Sequence, residues 1–267
     1  MSFSLLCPHC RRPLFREAAR YACPAGHSYD IARGGYVNLL SGRPPAVGDN
    51  RLMVEARART LGSGVYAPLR SALAEEAARD GGGGVLLDAG CGEGYYTEAL
   101  SATADETVGI DISKDALRRA ARRLPGATLA VASAYHLPVA DGAVLTLTSI
   151  FSPLAAEEFS RVLAPGGLLL VAIPGPRHLF SMKRVLYDTP YENEVAAYDS
   201  LPGFRHLSAR EVGFSFTLDT PEAIADLFTM TPYCYRTPRT GRERLLSLPS
   251  LTVEADFRVL AYRKETN

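Results

Sequence analysis

No run of about eighteen apolar residues occurs anywhere in the 267-residue chain, so the sequence offers no ordinary membrane-spanning helix. The opening MSFSLLCPHCRR lacks the positive start and long apolar core of a secretory signal. A cytoplasmic chain with reduced thiols is therefore expected. An excess of charge is missing too. The 29 basic and 29 acidic side chains cancel, which excludes a global basic field of the kind that announces nucleic-acid binding. Internal repeats and low-complexity tracts are absent. The remaining composition, 47% hydrophobic and 22% charged, is that of an ordinary globular protein. Its length suits one medium domain plus a small one.

The most informative stretch is Leu86–Thr97, LLDAGCGEGYYT. An apolar strand ends in Asp88 and breaks into Gly90-Cys91-Gly92-Glu93-Gly94. It then continues as an amphipathic segment from Tyr95 to Leu100. Glycines after a strand let the backbone turn sharply and approach a ligand. About twenty residues on, Val108-Gly109-Ile110-Asp111 is a second apolar run ending in an acid, placed to accept hydrogen bonds from both hydroxyls of a ribose. Asp88 and Glu93 would repel a pyrophosphate. They suit S-adenosylmethionine, with its cationic sulfonium and amino group. The expected cofactor contacts are Asp88, Gly90, Cys91, Gly92, Glu93, Gly94, Tyr95, Asp111 and Ile112. The alternatives are a nicotinamide dinucleotide site or a glycine turn with no ligand.

Cys7-Pro-His-Cys10 and Cys23-Pro-Ala-Gly-His27 form a CxxC…CxxxH pattern. Two such knuckles across a short hairpin bring three thiolates and one imidazole to the corners of a tetrahedron, which suits one structural Zn²⁺ per chain. Disulfides are the competing reading, and a reducing compartment disfavours them. With four protein ligands, the metal has no open position for catalysis. Cys91 and Cys234 read as small packing residues. Residues 1–40 carry Arg11, Arg12, Arg16, Arg20 and Arg33 against Glu17 and Asp30. The side-chain charge of +3 falls to about +2 once three thiolates hold zinc. Interleaved with Phe15, Tyr21, Tyr29 and Tyr36, it makes an RNA-compatible surface.

The remaining pattern predicts a linker over 41–50 and helical spacing over 51–78, broken near Gly62–Gly64 and at Pro68. A helix over 113–123 is capped by Ser113. Strands are expected at 128–132, 143–150 and 168–173, with Pro165-Gly166-Gly167 turning into the last of them. After Pro174 come a helix near 177–187, an extended stretch near 212–218, a helix near 221–229 and a strand near 251–262. Alternating strands and helices imply an α/β fold, a Rossmann-like sheet of seven strands that is largely parallel. Three divisions follow: 1–40 as a zinc-ribbon RNA-recognition domain, 41–80 as linker and helical segment, and 81–267 as the cofactor-binding domain.

LLDAGCGEG, Gly109-Ile110-Asp111 and LAPGGLLLV at Leu163–Val171 resemble class I S-adenosylmethionine-dependent methyltransferases. The N-terminal half narrows the resemblance. CPHC…CPAGHSYDIARGGYVNLL, Met53-Val-Glu-Ala-Arg57, Ile150-Phe-Ser-Pro153, Pro174-Gly-Pro-Arg-His-Leu179 and Met230-Thr-Pro232 resemble the RlmA family. These are 23S rRNA (guanine-N1) methyltransferases that include macrolide-resistance members. The resemblance implies a 23S rRNA hairpin as substrate, a homodimer, and a seven-stranded class I methyltransferase sheet with a small N-terminal zinc-binding domain. It places the adenine near Ser133 and Ala134, although the class at large often has an acid there.

Methyl transfer to guanine N1 needs an unstacked base held in line with the methyl donor. Phe151 and Pro153, after the fourth strand, stand where this fold presents the acceptor. The N1 proton needs an acceptor of its own, for which His178 and His136 are candidates. Two other readings remain: a non-catalytic RNA- or ribosome-binding protein on the same fold, and a methyltransferase for a small molecule.

Overall fold

The computed structural model describes residues 3–40, 49–195, 198 and 200–266. The linker expected over 41–50 lies mostly outside the described residues. The chain opens with three short strands, β1 (Phe15–Arg16), β2 (Arg20–Ala22) and β3 (Ser28–Asp30), followed by β4 (Val37–Asn38). Two helices come next, α1 (Arg51–Gly62) and α2 (Ala67–Asp80). Asn50 caps α1 by accepting the Met53 N–H at 3.0 Å. The break falls where the Gly62–Gly64 spacing predicts it, and Pro68 sits in the first turn of α2, where its missing N–H costs nothing.

The alternating core runs β5 (Val85–Ala89), α3 (Tyr95–Leu100), β6 (Glu106–Asp111), α4 (Lys114–Arg123), β7 (Thr128–Val131), β8 (Val144–Ile150), α5 (Ala156–Val162) and β9 (Leu163–Pro174). The C-terminal third adds α6 (Phe180–Leu186), β10 (Phe204–Leu218), α7 (Pro221–Thr229), α8 (Tyr233–Arg236), α9 (Arg239–Leu246) and β11 (Leu251–Lys264). Ser113 caps α4 through the Ala116 N–H.

The main sheet has the order β10-β11-β9-β8-β5-β6-β7-β4. Strands β5 to β9 pair in parallel, while β11 runs antiparallel to β9 and β10 antiparallel to β11. Seven of these strands are the expected methyltransferase sheet. The eighth, β4, comes from the N-terminal segment and pairs in parallel with β7 through Val37↔Ala130 and Asn38↔Val131. The extended stretch near 212–218 is longer than its pattern suggests and begins at Phe204. One face of β10 is exposed along much of its length, so the sequence carries little apolar signal there. The helix near 177–187 starts later, at Phe180, because Leu179 takes a left-handed φ of 57°.

The ribbon is not a separate body. Leu5, Cys7, Leu14, Tyr21, Cys23 and Val37 are buried in one apolar cluster with Leu87, Val108, Ala130 and Leu147 of the sheet. Arg11 extends the contact: its guanidinium donates to the carbonyls of Leu137 and Val139, each at 3.4 Å. No helix among the described residues is long and apolar enough to cross a membrane.

Candidate active site and metal centre

The metal ligands converge. The donor atoms of Cys7, Cys10, Cys23 and His27 all lie within 4.8 Å of one another. His27 Nδ1 is 3.5 Å from Cys7 Sγ and 3.4 Å from Cys23 Sγ, and Cys10 Sγ is 3.7 Å from Cys23 Sγ. Zinc–sulfur bonds of about 2.3 Å at tetrahedral angles place neighbouring sulfurs about 3.8 Å apart, so the set fits a structural zinc. Tyr29 OH lies 3.2 Å from Cys7 Sγ and donates to the thiolate in the manner of an outer-sphere partner.

The glycine turn joins β5 to α3. Gly90, Gly92 and Gly94 all have positive φ, 95°, 55° and 83°. A Cβ on Gly90 would lie 2.4 Å from Ser152 Cβ, whereas Gly92 faces open space. The backbone N–H groups of Gly90 and Cys91 donate to Ile110 O at 2.7 and 3.0 Å. Gly92 N donates to Asp111 Oδ2 at 2.9 Å, and Ser113 N donates to Asp111 Oδ1 at 2.7 Å. Asp111 is thus fixed at the end of β6 beside the open face of Gly92. Burial raises its pKa, and the backbone donors work against the rise.

The expected cofactor residues divide. Gly92, Asp111 and Ile112 border the open face of the turn. Tyr95 opens α3 and packs beneath the guanidinium of Arg70, 4.8 Å from its ring centroid. Ser133 and Ala134 follow β7, where Ser133 Oγ accepts the Tyr135 N–H at 3.2 Å. Asp88 has a different place from the one expected. It is 1% exposed, and its two oxygens accept hydrogen bonds from Thr97 Oγ1 at 2.6 Å and Thr148 Oγ1 at 2.8 Å. Burial pushes its carboxyl up to about 6, against the pull of both hydroxyls. Asp88 therefore orients the turn by tying α3 to β8. Cys91 packs with Leu117 and Leu129, and burial raises its thiol far above the ordinary value.

The acceptor side is aromatic. Phe151 leaves β8 with a left-handed φ of 54° and is 46% exposed. Its ring lies 6.2 Å from Tyr96 and 5.3 Å from Phe257. Such a conformation at a bulky residue is costly and concentrates at functional sites. Ser152 Oγ donates to Ala89 O at 2.5 Å, clamping the Phe151–Pro153 loop onto the glycine turn. His178 packs 4.5 Å from Phe257, and its Nδ1 accepts the Asp256 N–H at 3.4 Å. Burial and the nearby Lys183 push its pKa down to about 3, so it is too weak a base to take a guanine proton. His136 is exposed in the turn after β7, bridged to Ser133.

Three residues near this site carry no signal of it in the sequence: Arg57, Tyr66 and Tyr96. Arg57 closes the Met53–Arg57 segment, but helical spacing alone gives it no role. The two tyrosines read as core.

The sheet order, the glycine turn with its acid at the next strand end, and the four-ligand zinc ribbon define a class I S-adenosylmethionine-dependent methyltransferase carrying a zinc-binding N-terminus. The family model for the RlmA N-terminal zinc ribbon matches residues 5–43, and that for a methyltransferase domain matches 87–171. A Micromonospora griseorubida protein assigned as a 23S rRNA (guanine-N(1)-)-methyltransferase is 38% identical over 97% of both chains. The 23S rRNA (guanine(748)-N(1))-methyltransferase of Streptomyces fradiae is 42% identical over 66% of this chain and 65% of its own. The chain belongs to the RlmA family of 23S rRNA (guanine-N1) methyltransferases. Among solved structures, the [4+2]-cyclase SpnF shares the fold, with a TM-score of 0.56 at 19% identity over 81% of this chain and 94% of its own. That likeness shows architecture and not activity.

Proposed function

We propose that this protein transfers a methyl group from S-adenosylmethionine to N1 of a guanine in a 23S rRNA hairpin. The observation that carries the reading is similarity along 97% of both chains to a protein assigned that activity. A relative that shared only the sheet would leave the substrate open. The cofactor supplies an electrophilic methyl group already activated by its sulfonium. Asp111 takes the ribose hydroxyls, and Gly92 lets the cofactor approach the backbone. Ser133 and Ala134 border the adenine. Phe151 offers a half-exposed ring on which an unstacked guanine lies, and Pro153 stiffens the loop that carries it. Orientation of the base contributes most of the acceleration that these residues supply.

In this reading residues 1–40 recognise RNA, 51–80 cover the cofactor site, and 81–267 carry the chemistry. The RNA grip falls to Arg12 and Arg16, both exposed, and not to Arg11, which holds the ribbon on the sheet. The protein acts in the cytoplasm as a homodimer whose two ribbons flank the hairpin. Primer extension on 23S rRNA treated with the protein and S-adenosylmethionine tests the reading. A methyl at N1 blocks Watson–Crick pairing, so one new stop opposite a guanine is expected. A small-molecule methyltransferase would leave the rRNA unmarked.

A further inference from the structure

We infer that Arg57 of α1 grips the carboxylate at the amino-acid end of S-adenosylmethionine, in a pocket completed by Glu93, Tyr66 and Tyr96. The inference rests on the cofactor reading above and adds a subsite to it.

Four side-chain polar atoms near this point are buried without a hydrogen-bond partner: Thr60 Oγ1, Tyr66 OH, Glu93 Oε1 and Tyr96 OH. Thr60, Tyr66 and Glu93 are only 5%, 2% and 4% exposed. Buried polar atoms are nearly always satisfied, so a cluster of orphans marks a place where something polar belongs. Arg123 approaches Glu93 Oε1 only at 3.6 Å, an ion pair without a hydrogen bond.

The cluster gathers around Arg57. Thr60 follows it by three residues on α1, hence on the same face, and Tyr66 closes the loop after that helix. Tyr66 and Tyr96 both belong to the aromatic group of Phe151 and Phe257, through contacts of 5.6 Å to Phe257 and 6.2 Å to Phe151. Arg57 ion-pairs with Asp49 and donates to Met230 O at 3.2 Å. Asp49 O in turn accepts from Ser113 Oγ at 3.0 Å, two residues from the ribose acid Asp111. The guanidinium therefore sits between the start of α4 and the end of α7. There it feels the charges of Asp111 and Glu93 and the hydroxyls of Tyr96 and Tyr66.

The ligand chemistry follows from that set. A zwitterionic amino acid needs an anion for its ammonium and a cation with hydroxyl donors for its carboxylate. Glu93 supplies the first, and Arg57 with the tyrosine hydroxyls supplies the second. The guanidinium presents five donors in a planar fork, so Asp49 and Met230 leave room for a further acceptor. Since the nucleoside is already assigned to Asp111 and the glycine turn, the amino-acid end is the part of the cofactor that remains for this pocket.

Calorimetry with two nucleosides tests the inference. S-adenosylhomocysteine carries the amino-acid end, and 5′-methylthioadenosine shares the adenosine and sulfur but lacks it. Arg57→Ala should weaken S-adenosylhomocysteine by about tenfold or more, as expected for removal of a charge-assisted pair, while changing methylthioadenosine by less than about twofold. Arg57→Lys keeps the charge without the fork and should fall between. Retained methylthioadenosine binding doubles as the proof that the variant is folded. Unchanged S-adenosylhomocysteine affinity in Arg57→Ala would overturn the assignment. Equal losses for both nucleosides would also overturn it, since Arg57 would then only brace α1. Failure of the wild-type protein to bind either nucleoside would sink the cofactor reading, and the subsite with it.

Discussion

Asp111 Oδ2 accepts the backbone N–H of Gly92 at 2.9 Å, so the acid at the end of β6 and the glycine turn after β5 are one unit. The carboxylate that meets the ribose also sets the shape of the turn against which the cofactor lies. Asp111→Ala should weaken S-adenosylmethionine binding by about 1.5–3 kcal/mol. Asp111→Asn is informative as well, because an amide NH₂ turned toward Gly92 N places donor against donor. Both variants should lose affinity in calorimetry, and wild-type affinity in either would remove Asp111 from the cofactor site.

Asp88 makes stability depend on pH. Its carboxyl is pushed up to about 6 from an ordinary 3.8. The folded state then binds the proton more tightly than the unfolded chain. The stability this contributes is fully present below the unfolded value and is lost as pH rises through about 6, with a total on the order of 3 kcal/mol. Asp88→Asn keeps partners for Thr97 and Thr148 without a charge. Its melting temperature relative to wild type should climb as pH goes from 5 to 8. A difference that stays flat across that range would mean Asp88 is not perturbed.

Much of this is legible in the sequence, and the gaps have physical causes. The strand–glycine–helix unit at Leu86–Thr97 and the acid at Asp111 are local patterns, readable because each is set by neighbours in the chain. The zinc ligands are legible for the same reason. Strand β4 is not, because two residues carry no periodicity and pair with β7 only through tertiary contact. The role of Asp88 is hidden likewise: its partners Thr97 and Thr148 lie on different elements, and only the fold brings their hydroxyls to one carboxylate. Arg11 looks like every other ribbon arginine in the sequence, yet its guanidinium lies on the carbonyls of Leu137 and Val139. Nothing local to His178 reveals that burial strips it of its basicity.

Elemental analysis of protein purified without chelator should give about one zinc per chain. Cys23→Ser should lower the melting temperature of the whole protein, because Cys23 shares its apolar cluster with the sheet. A melt in which only the ribbon is lost, with S-adenosylmethionine binding and sheet stability intact, would mean that the shared packing contributes little.

Replacing Arg12 and Arg16 by Ala should raise KM for the rRNA hairpin. It should also flatten the salt dependence, by nearly one log unit of slope for each phosphate no longer neutralised. S-adenosylmethionine affinity should not change. Wild-type KM across a salt series would show that the ribbon does not grip RNA.

Phe151→Ala should lower kcat on the hairpin by about tenfold or more, since base stacking on an aromatic ring is worth about 1–3 kcal/mol. Phe151→Tyr should restore most of the rate. Loss of S-adenosylmethionine affinity in place of turnover would reassign Phe151 to the cofactor side.

The function proposed for this protein turns on which atom receives the methyl group. Mass mapping of 23S rRNA from a deletion strain against the complemented strain reads that atom directly. One fragment should be heavier by a single methyl group in the complemented strain, with the methyl at N1 of a guanine. Identical spectra from the two strains, or a methyl on any other atom, would refute the proposed reaction.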